Sequence, residues 1–246
     1  MYRRTYSTNM RDILSAERMS RYGSATGAHT ATVLGNYFWN VALCEALYPS
    51  LHCVEVALRN GIHNAATAEF GNPAWFMMAT PVLVSERFRR GDPTPYPAEQ
   101  QDIDKAIQKF LDDGRIPVPG DVVAKMDFGF WDALFKREYR SILWTRPGFM
   151  AAVFPAFVPG RDPITQLSGR FSAIRIFRNR VFHHEPIFHR TDLANQHAQI
   201  IEAIGWLSPA MHLSLTTGGF DNFPAVLGRG SAHYESLMSA LMATMP

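Results

Sequence analysis

The chain has 246 residues, 47% hydrophobic and 19% charged, and its 24 basic and 22 acidic residues leave a formal charge of +2. That balance excludes a highly charged disordered tail, and no stretch is read as reaching the ~18 apolar residues that cross a bilayer, so the expectation is a cytoplasmic protein without a membrane partner. The basic residues are 20 Arg against 4 Lys, a skew that matters physically only where a planar, stacking or bidentate cation is used.

Helical signals dominate in chain order, and strand signals are weak. Residues 15–22 and 31–47 read as helices, the second with Tyr37, Phe38 and Trp39 in it. Pro49 and Ser50 then open a separate helix over residues 50–70, with Leu51, Val54, Leu58, Ile62 and Ala65 on one face and Gly71 closing it. Cys44 and Cys53 fall on consecutive helices with no C-x-x-C and no second pair, which predicts two ordinary thiols. Glu55, Arg59 and His63, four apart, form a polar stripe beside the apolar face.

From residue 89 to 121 the composition changes. Pro93, Pro95, Pro97, Pro117 and Pro119 punctuate it, and residues 91–113 hold six acids against Lys105 and Lys109. This predicts a solvated insertion or hinge carrying one helix, from Pro97 to Gly114. The dense run Phe128, Phe130, Trp131, Leu134 and Phe135 predicts core packing.

Asp162 and Pro163 make an N-cap and a first-turn proline, opening a helix whose apolar stripe runs through Ile164, Leu167, Phe171, Ile174 and Val181. The stripe place between Ile174 and Val181 is read as Arg178, and Pro186 should end the helix near residues 183–185. Thr191 or Asp192 caps a further helix with Leu193, His197, Ile200 and Ile204 on one face, and a last helix runs from 231 to 245. The expectation is a single all-α domain over 1–246: N-terminal helices in 1–88, the insertion in 89–121, motif-bearing helices in 122–190 and C-terminal helices in 191–246.

An arginine on an apolar stripe needs a partner, either a carboxylate of the chain or an arriving phosphate, because an uncompensated buried charge costs several kcal/mol. Residues 161–190 hold six arginines against Asp162 and Glu185, a local charge of +4 that the global value hides. His183, His184 and His189 lie in the same window. Arginine and histidine together suffice to cleave RNA without a metal: imidazole moves protons and guanidinium neutralises charge on the phosphorane. Arg178 and His183 would point ~140° apart on a continuous helix, so the helix must end or distort between them, or two copies must face each other.

The run Phe177-Arg178-Asn179-Arg180-Val181-Phe182-His183-His184-Glu185-Pro186 resembles the R-x(4–6)-H motif of the HEPN superfamily. With the segments 14–22, Asn36-Tyr37-Phe38-Trp39-Asn40, Glu55-Val56-Ala57-Leu58-Arg59-Asn60 and Phe128-Gly129-Phe130-Trp131, the chain resembles the Abi-like abortive-infection proteins of bacteria, from about residue 10 to about residue 190. The resemblance implies a HEPN-like helical bundle with additional N- and C-terminal helices, often dimeric, acting on RNA in phage defence as a metal-independent ribonuclease or RNA-binding toxin, with no cofactor. It implies that Arg178 and His183 are the catalytic pair, that Asn179 orients it, and that cleavage leaves a 2′,3′-cyclic phosphate and a 5′-hydroxyl. Arg180 and His184 join as supporting residues, and Glu55, Arg59 and Asn60 as candidates to buttress Arg178 or contact RNA. Glu55 or Arg59 is therefore expected near Arg178.

The expected partners are RNA, a second copy of the chain, and an antitoxin or regulatory RNA. The competing expectations are a non-catalytic module that binds RNA or protein through the same basic surface, and a helical scaffold in which Arg178 is only ion-paired. His183, His184, Glu185 and His189 lack the spacing of a metal-binding helix, so no metal is expected. No phosphate loop, dinucleotide fingerprint or serine elbow is present in the sequence.

Overall fold

A computed structural model describes residues 2–23, 30–77, 82–83 and 97–244. The described residues contain no strand; they form α1 (Tyr2–Leu14), α2 (Ala16–Ser20), α3 (Thr30–Phe70), α4 (Ala98–Asp112), α5 (Pro119–Lys125), α6 (Phe128–Ala133), α7 (Arg137–Tyr139), a π-helical turn (Arg140–Trp144), α8 (Phe149–Val153), α9 (Pro163–Phe182), α10 (Leu193–Leu207), α11 (Pro209–Thr216) and α12 (Phe223–Thr244). The protein is therefore all-α. Residues 89–96 of the expected insertion, and Met245 of the last helix, lie outside the described residues.

The helices group into two compact units, neither contiguous in sequence. The first comprises Met1–Leu51, Ile176–Ala198 and Ser214–Pro246; the second comprises His52–Arg175 and Gln199–Leu213. The long helices α3 and α9 each give one part to each unit.

In the first unit Ala31, Leu34 and Met238 make a buried cluster against which Tyr6, Met10, Leu14, Met19, Phe38 and Met242 pack. Tyr6, Met10 and Leu14 recur at four-residue spacing, so α1 turns a single apolar edge inward. α12 approaches α3 at Gly35, where an added Cβ would lie 2.6 Å from the Glu235 backbone nitrogen. Thr32 fixes that approach by donating its hydroxyl to Glu235 Oε1 at 2.7 Å. α12 breaks at Gly230, whose φ of 68° places it in the left-handed region, so its second half starts at Ser231 as the sequence pattern indicated.

The second unit is organised by aromatic rings. Phe135 stacks on Trp144 at 4.6 Å and on Phe171 at 5.5 Å, and Phe154 closes on Phe171 at 5.6 Å. Phe128, Phe130 and Trp131 are buried with them, which is the packing role expected of that run.

Four expectations change. Residues 31–47 and 50–70 are one helix, α3, with Pro49 inside it. Proline deletes one backbone donor, here the one the Glu45 carbonyl would receive, and normally breaks a helix; α3 nevertheless continues, with Leu47 and Leu51 fully buried on either side of Pro49. Cys44 and Cys53 consequently share one helix, ~13 Å apart along its axis, and both are free thiols. The uninterrupted α3 is also long and apolar enough to cross a membrane by length and composition, which Pro49 concealed.

The remaining change concerns the insertion. α4 belongs to the packed body of the second unit, not to a solvated hinge: Ile103 and Ala106 are buried, and so is the carboxylate of Glu99. Glu99 receives Lys136 Nζ at 2.6 Å and the Tyr139 hydroxyl. Burial pushes its carboxyl up, but these hydrogen bonds outweigh burial and hold it below the usual range.

Two predictions follow from the packing. Gly35→Ala should lower stability by about 1–3 kcal/mol, read from chemical denaturation, because backbone of α12 has to move. Burial lowers His197 from its ordinary 6.5, against an opposing pull from Asp221, and burial lowers His63 likewise. Below pH 6.5 the unfolded chain takes up protons that these imidazoles resist in the fold. Stability is thus complete above that pH and is lost as the pH falls through it, and melting curves with His197→Leu should show a shallower fall than wild type.

Candidate functional site

The stripe of α9 places the motif. Its buried residues are Ile164, Leu167, Phe171, Ile174, Phe177 and Val181, so the position between Ile174 and Val181 belongs to Phe177, which is 3% exposed. Arg178 is one residue further round, half-buried, with its guanidinium carbon 4.2 Å from the centre of the Phe182 ring. The expectation that Arg178 replaces a core residue is corrected: both 177 and 178 satisfy helical spacing, and the phenyl ring takes the drier one.

α9 ends at Phe182, one residue before His183. The His183 amide still donates to Asn179 O at 2.9 Å, so the backbone keeps its helical course, without distortion, up to His183. The Cα directions of Arg178 and His183 therefore differ by ~140°. The contact with Phe182 carries the Arg178 head one turn toward the C-terminus, to the residue directly before His183.

The helix then closes in a Schellman turn. His184 N donates to Val181 O at 3.1 Å and Glu185 N to Arg180 O at 2.9 Å, with His184 at φ 57° in the left-handed position usually held by glycine. Arg180 Nη1 and Glu185 Oε2, 3.5 Å apart, span the same turn, and Pro186 prevents further helix. His183 and His184 are both exposed at this end, Asn179 is half-buried and Arg180 exposed. Asn179, whose Oδ1 lies 3.5 Å from Arg178 Nη1, shares a helical face with His183.

Residues remote in sequence fix the turn and the loop after it. Arg18 Nη2 donates to His184 O at 2.7 Å. Asn40, 3% exposed on α3, accepts the amides of Ile187 at 2.6 Å and Phe188 at 3.2 Å on Oδ1. Its Nδ2 donates to the Tyr22 hydroxyl at 3.3 Å and to Cys44 Sγ at 3.8 Å, so both ends of the carboxamide are used. Tyr22 stacks on Phe188 at 5.4 Å, and Asn36 Nδ2 donates to Tyr22 O at 2.7 Å. Residues of the segments 14–22, 36–40 and 177–188 thus meet here. The Cys44 thiol is pushed up to about 11 by burial, with Arg18 pulling the other way, which leaves it protonated and poorly nucleophilic.

Sequence reasoning named Arg18 and Asn40 within segments of the resemblance and placed neither at the motif. Asn40 had a signal: with Leu43, Leu47, Leu51, Val54, Leu58 and Ile62 it continues one apolar stripe of α3, visible only once residues 30–70 are read as one helix.

The local charge of +4 does not survive folding. Arg170 pairs with Glu202 at 2.6 Å, Arg175 with Asp132 at 2.6 Å and Arg190 with Asp192 at 2.6 Å, so two acids distant in sequence and one just past the window's edge offset three of its arginines. With Asp162 and Glu185, six arginines face five carboxylates. Arg175 and Asp132 line a cavity of about 490 Å³ in the second unit with Glu99, Lys136, Ser168 and Ser172, and the cations there already hold carboxylates of the same wall.

Glu55, Arg59 and Asn60 fall in the second unit and the motif in the first, so the site described here is that of the first unit alone. Glu55 and Arg59 are half-buried and Asn60 exposed. Arg59 Nε is buried without a hydrogen-bond partner among the described residues. His63 accepts Trp75 Nε1 on Nδ1 at 3.3 Å, a packing contact. Among the described residues no group of three His, Cys, Asp or Glu side chains stands close enough to hold a metal ion. Comparison of the chain with family models, with curated proteins and with solved structures finds no match.

Asn40→Ala should leave two buried amides without an acceptor at a cost of about 1–3 kcal/mol for each unsatisfied group. Hydrogen exchange would read it as faster exchange at Ile187 and Phe188, with the α9 amides before Phe182 changed far less.

Proposed function

We propose that the protein is a HEPN-type endoribonuclease of the cytoplasm that acts in phage defence and needs no metal. Arg178 neutralises charge on the scissile phosphate and His183 moves protons. The 2′-oxygen of the substrate attacks phosphorus as its proton passes to an imidazole, the bond from phosphorus to the 5′-oxygen breaks, and that oxygen takes a proton. The products are a 2′,3′-cyclic phosphate and a 5′-hydroxyl. One base and one acid are required, and Arg178 and His183 diverge round a regular helix. The reading therefore pairs two copies with their motifs facing, each supplying one imidazole.

The observation that carries this reading is the helix end itself: Arg178 and Asn179 sit on the last turns of α9 with His183 directly after it, and the turn and loop beyond are tied by Arg18 and Asn40. Those two residues come from the other segments of the Abi-like resemblance. Arg180 and His184 flank the phosphate as supporting groups; Asn60, Glu55 and Arg59 remain candidate RNA contacts of the second unit.

One observation favours the rival, a module that binds RNA without cutting it: the Arg178 cation already has the π face of Phe182, and most neighbouring arginines are ion-paired. Single-stranded RNA incubated in excess EDTA decides between them. Wild type should cut, and His183→Ala should slow cleavage by about 10²–10⁴-fold while preserving the melting temperature. A requirement for divalent metal, or unchanged cleavage by His183→Ala, overturns the mechanism; a salt-sensitive complex without turnover establishes the binding module.

A further inference from the structure

Arg178 and His183 account for a phosphate and its protons, and they leave open what lies beside that phosphate. Tyr48 stands on α3 with 54% of its surface exposed. Its ring lies 5.9 Å from that of Phe182, the planes tilted by 35°, and the Arg178 guanidinium lies on Phe182 at 4.2 Å. All three belong to the first unit. An exposed ring, a half-buried ring and a cation are thus joined in sequence, and the middle member directly precedes His183 in the chain.

An exposed aromatic ring beside an arginine suits an unpaired nucleotide: every base offers a π face to the ring, and its phosphate suits the guanidinium. A duplex cannot use it, because its bases are already stacked on one another. We infer that Tyr48 is the platform on which an unpaired base of single-stranded RNA stacks, at a nucleotide flanking the phosphate held by Arg178. Glu45 is exposed one turn earlier on the same face of α3. Its charge repels phosphate there, so the strand's backbone runs on the Arg178 side of the ring. The inference rests on RNA being the ligand of the site and adds the strandedness of that RNA and the residue that reads it.

The test is a titration of a short single-stranded RNA bearing 2-aminopurine, in EDTA, into wild type, Tyr48→Trp, Tyr48→Leu and Tyr48→Ala, with circular dichroism to establish that each is folded. Leucine retains an apolar contact with Phe182 and removes the stacking face. The expected result is quenched fluorescence with wild type and Tyr48→Trp, loss of quenching with about 5- to 100-fold weaker binding for Tyr48→Leu and Tyr48→Ala, and weak competition by a blunt duplex of the same sequence. Unchanged quenching and affinity in the leucine variant, or equal binding of duplex, overturns the inference while leaving RNA cleavage standing. Binding and quenching by wild type without cleavage overturn the nuclease reading and support the platform. Absence of any RNA binding overturns both.

Discussion

The Asn40 carboxamide, set in the middle of an otherwise apolar helix stripe, accepts two consecutive backbone amides from the loop that follows the motif. Backbone donors taken out of water must find acceptors, and the amides of Ile187 and Phe188 find theirs in a side chain of another helix. Asn40 supplies that acceptor from inside the helix, and Tyr22 and Cys44 occupy its remaining donors. The loop's direction, the stacking of Phe188 on Tyr22 and the exposure of the preceding histidines all depend on that one group.

The turn before the loop is under mild local strain. A left-handed backbone costs a residue with a Cβ roughly 1–2 kcal/mol, yet position 184 is histidine and not glycine. Two backbone hydrogen bonds, the Arg180 and Glu185 pair and the Arg18 guanidinium on the His184 carbonyl over-determine the conformation. Such strain persists where surrounding structure enforces it and is common at functional sites. Here it falls directly after His183, the residue proposed to transfer protons, at an exposed helix end.

Much of this was legible in the sequence, for reasons tied to particular residues. Helix-period stripes such as Leu51 to Ile62 and Ile164 to Phe171 marked the all-α class because burial follows period. The rule that a polar residue on an apolar stripe marks a special site was sound, but it selected Arg178 where the structure has Phe177, since adjacent positions both satisfy a spacing of three or four. The residue that obeys the rule is Asn40, hidden because Pro49 invited a break in α3. The charge window misled for a different reason: it stopped short of Asp192, two residues past Arg190, and linear counting cannot see that Glu202 and Asp132 return to its arginines. Tertiary partners of that kind, like the Arg18 bond to His184, leave no periodic trace.

Phosphoryl chemistry driven by the substrate's own 2′-hydroxyl leaves a signature that metal-assisted attack by water does not. Mass spectrometry of the termini of RNA fragments therefore tests the proposed catalytic role of Arg178 and His183 most directly. The account predicts 2′,3′-cyclic phosphate and 5′-hydroxyl ends with wild type in EDTA, absent with His183→Ala. Fragments ending in 3′-hydroxyl and 5′-phosphate would contradict it.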